Sequence, residues 1–171
     1  LCYLDNAFNV ISIDKLEVFI DGKKNTDTRN LLEDARIVRF NDIFYVTITF
    51  IPSDDQSKAT VLLGQLDMEN NSLRCNTLNL PFAPPPQKNW IPFVFNNEFY
   101  LQYDLNPTVI LSFDPESINF KKTYTSRSIQ IALANYGSRL SGGSSLVQLD
   151  DSLIGICHAY KVINARRNYF S

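Results

Sequence analysis

The chain is short of the groups on which most familiar site chemistry is built. Its 171 residues include one histidine and three cysteines, and Cys2, Cys75 and Cys157 stand far apart with no CxxC pair. That spacing offers neither a structural zinc site nor a disulfide framework. Cys157 and His158 are adjacent, but neighbours in a strand point to opposite faces and cannot work as nucleophile and base, so Cys157 reads as a buried structural thiol. No apolar run approaches the roughly twenty residues needed to span a bilayer. Lys and Arg total 16 against 18 Asp and Glu, for a net charge of −2, and the basic residues are scattered. Neither membrane insertion nor nucleic acid is therefore expected. The opening Leu1-Cys2-Tyr3-Leu4-Asp5 has no methionine and no basic n-region, which implies that the natural N-terminus lies upstream. Ser141-Gly142-Gly143-Ser144-Ser145 is neither a phosphate loop nor a nucleophile elbow, since both need fixed glycine spacing and a following helix.

What the chain does have is repetition. At 44% hydrophobic and 12% aromatic it can form a sizeable globular core. Three of its stretches, ARIVRFNDIFYVTITF, NWIPFVFNNEFYLQYDL and SSLVQLDDSLIGICHAY, superpose through FNDIFY, FNNEFY and LDDSLI at spacings of 55 and 54 residues. Each is an alternating apolar run, a short polar turn and a second β-rich run, which predicts an antiparallel hairpin. A period near fifty residues with several strands per unit is the pattern of β-propeller blades around a central channel.

The first complete unit is expected to hold strands at about 35–40, 43–51, 59–66 and 73–79, bounded by turn-forming clusters. Residues 1–32 fit the outer strands of a preceding blade, 33–80 and 88–127 two whole blades, and 142–171 the start of another. Three consecutive prolines, Pro84 to Pro86, mark the link between the two whole units. IQIALANYG, before the third copy, is compatible with a short helix or a strand. Two full and two partial blades do not close a ring, so further polypeptide is expected to complete it.

Equivalent positions of a propeller converge at the strand mouths, and here they differ sharply. Glu33 falls on Lys88 and Gly142, Asp34 on Asn89 and Gly143, and Arg36 on Ile91 and Ser145. The second runs add Thr49, Asp104 and His158 at matching positions. Asp34 and Arg36 share one side of a strand while Glu33 faces the other. Lys88, Asn89 and Trp90 add a cation, an amide and an aromatic, suited to hydroxyls, an anion and a pyranose face. The structural alternatives are a salt-bridged strand cap at Asp34 and Arg36, a core plug at Trp90, a backbone contact at His158 and a simple turn at Gly142-Gly143.

Glu33-Asp34-Ala35-Arg36-Ile37 with Phe44-Tyr45-Val46, then Lys88-Asn89-Trp90, then Gly142-Gly143 and His158, resembles the five-bladed propellers of inverting β-mannoside phosphorylases and their hydrolase relatives. Those carry a Glu-Asp-Pro-Arg-Ile strand, a Lys-Asn-aromatic strand and a late histidine. The resemblance covers roughly residues 31–160. It implies an all-β, five-bladed β-propeller acting on carbohydrate, with Asp34 as proton donor. Glu33, Arg36, Lys88, Asn89, Trp90, Asp104, Gly143 and His158 then become candidates for sugar or anion contacts. No cofactor or metal is implied, and inorganic phosphate is a candidate co-substrate. The rival readings are a glycosyltransferase-associated propeller and a non-catalytic interaction module. Asn70-Asn71-Ser72 is one N-glycosylation sequon, a hint of the secretory pathway.

Overall fold

A computed structural model describes residues 1–78, 80, 86–105, 107–126, 139–163 and 166–170, with the backbone alone at 139–141, 159–163 and 166–170. These residues are all-β, with one short 3-10 turn at Gln56–Lys58. β1 (Cys2–Leu4) and β2 (Val10–Ile13) form a hairpin by themselves. The strands β3 (Glu17–Ile20), β4 (Lys23–Lys24), β5 (Leu31–Phe40), β6 (Ile43–Ile51), β7 (Thr60–Asp67) and β8 (Ser72–Thr77) make a six-stranded sheet, ordered β4-β3-β8-β7-β6-β5. A four-stranded meander follows, with β9 (Ile91–Phe95), β10 (Glu98–Leu105), β11 (Thr108–Asp114) and β12 (Asn119–Ser126) in sequence order. In the third copy β13 (Arg139–Gly142) and β14 (Val147–Leu149) run antiparallel to β16 (Cys157–Ile163) and β15 (Ser152–Ile154), and β17 (Arg166–Phe170) adds to β16.

The copied turns explain the copied hairpins. Asn41 and Asp42 have φ of 48° and 62°, and Asn96 and Asn97 have 48° and 59°. A two-residue hairpin whose central residues are both left-handed matches the right-handed twist of its strands, and Asn and Asp are the non-glycine residues that tolerate it. In the third copy Asp150 is left-handed at 51°. The first strands of the copies, β5, β9 and β14, lie in three different sheets, and β5 and β9 are edge strands.

The first two sheets meet face to face. Tyr45, Val61 and Leu63 from β6 and β7 bury themselves with Phe99, Leu101, Leu111 and Phe113 from the meander, and Trp90 fills the same core. Phe99 takes the edges of Phe40 and Tyr45 at centroid distances of 5.7 and 5.4 Å. Because strand side chains alternate, Val46, Ile48 and Leu62 point the other way and join Leu73 and Cys75 in a second cluster. The central strands are thus apolar on both faces, whereas every residue of outer strand β12 is exposed.

One expectation differs from the structure. Residues 17–24 do not form the outer strands of a separate unit preceding residue 33; β3 hydrogen-bonds in parallel to β8, extending the sheet of 31–77. The Asp21 carboxylate fixes the join, accepting from the Thr77 amide at 2.9 Å and hydroxyl at 2.8 Å. In the first copy β5 alternates between exposed and half-buried residues while β6 is buried along its centre. The IQIALANYG segment lies outside the described residues.

Candidate functional site

The site is built where the three copies begin. Asp34 and Ala35 sit in a bulge, because Glu33 pairs with Thr49 and Arg36 with Thr47. With one extra residue on this strand, Asp34 takes left-handed backbone at φ 55°, a conformation open to Asp and Asn but strained for most side chains. Asn89, one repeat later, has φ 64°. The series Asp34, Asn89, Gly143 therefore has a backbone reason in its first two members, independent of any ligand.

Arg36 draws the copies together. It is half-buried, and its Nη1 donates to the Asp34 carbonyl at 3.1 Å while Nη2 reaches the Gly142 carbonyl, 106 residues away, at 3.4 Å. Burial holds the guanidinium below its ordinary pKa, opposed by the smaller effect of the Asp34 charge. Among the described residues no carboxylate oxygen lies within ion-pair distance of it. Gly142 is the meeting point. A Cβ there would be driven into the Ile91 Cδ1 methyl and would stand 3.7 Å from the Asn89 carbonyl. At Gly143 a Cβ would lie 3.6 Å from His158 Nδ1 and 3.1 Å from the Ile156 carbonyl. That carbonyl accepts from the Gly143 and Ser144 amides, tying down the segment between β13 and β14.

Asp34, Arg36, Asn89, Gly143 and His158 are thus linked through one glycine pair. Glu33, Asp34, Lys88 and Gly143 are exposed, and Asn89, Asp104 and His158 half-buried. Asp104 Oδ1 accepts from the Leu105 amide at 2.7 Å, beside a bulge between Gln102 and Asp104. Trp90 must be corrected. It is 2% exposed, its Nε1 donates to Gln87 Oε1 at 3.3 Å and its ring meets the Tyr103 ring edge-on at 5.2 Å. A ring enclosed in this way has no face for a pyranose, so Trp90 holds the core between the first two sheets. Its carbonyl accepts from the buried Thr47 hydroxyl at 3.1 Å.

Sequence reasoning passed over Gln102, which is 7% exposed and carries a buried Oε1 without a partner among the described residues. The signal was present, because Gln102 falls 55 residues after Thr47, a polar position inside an apolar run. A cleft of about 130 Å³ between Gln65, Arg74, Asn76 and Glu116 involves none of the candidate residues. No group of His, Cys, Asp and Glu able to hold a metal ion occurs among the described residues. No family model matches the chain, and neither the curated proteins nor the solved structures include a match to it.

Proposed function

We propose that the chain forms part of a five-bladed β-propeller of the glycoside hydrolase or glycoside phosphorylase type. Further polypeptide completes the ring, and carbohydrate binds where the strand mouths converge. The observation that carries the reading is the reach of Arg36 across 106 residues to Gly142, beside Ile91 and Asn89. It gathers the starts of all three copies, as equivalent strands around one axis require. The edge positions of β5 and β9 leave room for neighbouring units.

In this reading the exposed Asp34 carboxyl gives its proton to the glycosidic oxygen, directly or through a sugar hydroxyl, while water or inorganic phosphate attacks the opposite face of the ring. Arg36, with no carboxylate partner among the described residues, suits an anion or a sugar hydroxyl, and Lys88 supplies a second, exposed cation. The test is turnover of β-1,4-mannobiose, with and without inorganic phosphate, by wild type and Asp34→Asn. The amide accepts the left-handed backbone, so the fold is retained. Turnover should vanish while disaccharide binding stays within about tenfold. Full activity in Asp34→Asn removes the catalytic assignment.

A second reading, a non-catalytic interaction module, is favoured by the burial of Trp90, which leaves the mouth without its aromatic platform. Wild-type protein that binds no disaccharide would support it.

A further inference from the structure

The cleft of about 130 Å³ between the first two sheets lies apart from the candidate residues, and it is charged on both sides. The ladders build its floor. Tyr45 of β6 stands across from Gln65 of β7, and Gln65 across from Arg74 of β8, so these three form one row on one face, with Leu63 and Asn76 opposed in the row beside it. Tyr45 and Leu63 belong to the core between the sheets, whereas Gln65, Arg74 and Asn76 are exposed. The cleft is therefore where that core opens to water. Its other wall is the turn between β11 and β12, with Pro115, Glu116 and Ile118. The Asp114 carboxylate fixes this turn, accepting from the Glu116 and Ser117 amides at 3.1 and 3.4 Å. Ile118, a β-branched residue, is held there in left-handed backbone at φ 56°, a strained conformation that persists only where its surroundings impose it.

Arg74 and Glu116 face the same space from opposite sheets, yet neither forms an ion pair with the other or with any other described residue. Arg74 is steadied by an aromatic ring instead. Its guanidinium lies 4.9 Å from the ring centroid of Phe19, its neighbour in the ladder with β3. Glu116 is near enough for its charge to add to burial in raising the Tyr45 hydroxyl above its ordinary pKa. Tyr45 is 1% exposed and its hydroxyl accepts from Gln65 Nε2 at 3.5 Å, with no acceptor for its own proton among the described residues. Opposite charges held apart across a gap suit a ligand that carries both. A cavity of about 150 Å³ takes the six carbons of benzene, so this one admits roughly six non-hydrogen atoms, fewer than a monosaccharide brings.

We infer that this cleft is a second binding site, for a small α-amino acid in its zwitterionic form, with the ligand carboxylate on Arg74 and its ammonium on Glu116. The guanidinium fork matches a carboxylate, and the Tyr45 hydroxyl and the Gln65 and Asn76 amides supply further donors to it. A side chain as small as a methyl group lies against Leu63 and Ile118. The inference is independent of the carbohydrate reading, since the cleft shares no residue with that site.

The experiment titrates the full chain with L-alanine to about 20 mM, following the side-chain amide NMR signals of Gln65 and Asn76, with propionate and isopropylamine as probes that each lack one charge. Alanine should shift both amides saturably with a Kd of about 1 mM or tighter, and each single-charge probe should bind at least about tenfold more weakly. Arg74→Met, which keeps a stem to lie on Phe19, and Glu116→Gln should each weaken alanine binding by a similar factor. Their thermal midpoints should match wild type, because both side chains are exposed and unpaired among the described residues. Amides that do not shift saturably, or alanine binding that survives either substitution, overturn the inference. Propionate binding as tightly as alanine overturns it too, since the cleft would then select an anion alone. A lowered midpoint with lost binding in both variants does the same, the two charges then serving the seam between the sheets.

Discussion

Replacing Gly142 by alanine tests the meeting of the second and third copies directly. The backbone at Gly142 is outside the left-handed region, which among the described glycines only Gly22 enters, so alanine is permitted there as far as φ is concerned. The main obstacle is the Ile91 Cδ1 methyl, with Ile91 Cγ1 behind it at 3.2 Å, on a residue that is itself 2% exposed. Overpacking of this kind costs about 1–3 kcal/mol, partly offset by the roughly 0.4–1 kcal/mol that alanine contributes by restricting the unfolded chain. Ile91→Val removes the obstructing methyl and by itself costs about 0.5–1.5 kcal/mol. In the double variant the new Cβ occupies the space that Cδ1 vacated. Its loss of stability should therefore be smaller than the sum of the two single losses by at least about 1 kcal/mol. Urea denaturation followed by fluorescence gives the four free energies, because the sole tryptophan, Trp90, is buried and becomes exposed on unfolding. Additivity within about 0.5 kcal/mol would refute the contact, and the convergence of the strand starts would fall with it.

Thr47→Val should destabilise by about 1–3 kcal/mol, because the buried Trp90 carbonyl loses its hydroxyl donor; an unchanged urea midpoint contradicts this. Burial pushes the Cys75 thiol up to about 12, so at pH 8 a disulfide reagent should label exposed Cys2 promptly and Cys75 only as the protein unfolds. Peptide mapping of the labelled cysteines gives the order. The Tyr100 hydroxyl donates to Glu98 at 2.8 Å, which with burial raises it from 10.0 to about 12. The folded state thus holds that proton more tightly than the unfolded chain, so the contribution is intact below pH 10 and is lost as the pH rises toward 12. Tyr100→Phe should flatten the fall of the denaturation midpoint across that window, and an equally steep fall would count against the pair.

Local structure was the legible part. The copied hairpins, their turns and the strands of residues 31–77 follow from alternation and from Asn and Asp at left-handed positions. Partnership between distant strands was not legible, since the parallel pairing of β3 with β8 leaves no mark in either segment. The site was read in part for the wrong reason. Divergence among Asp34, Asn89 and Gly143 looks like chemistry in the sequence, yet φ of 55° and 64° at the first two accounts for Asp and Asn by backbone tolerance. Trp90 could not be assigned either, because a core plug and a sugar platform use the same residue type. The polarity of Gln102 inside an apolar run is visible in the sequence, 55 residues after Thr47, whereas the strand it faces is set by the ladder.

The parallel docking of β3 onto β8 also orders the acquisition of structure. Glu17 meets Ser72 across 55 residues (72 − 17), whereas the hairpins of the β5 to β8 meander close over far shorter connections, the longest being residues 52–59. Loop-closure entropy grows with that separation, and non-local pairings form late when no nearby contact precedes them. The meander should consequently assemble first and present the β8 edge as a template, to which residues 17–24 anneal afterwards. A pulse of hydrogen exchange early in refolding would then find β6 and β7 amides protected while those of β3 still exchange.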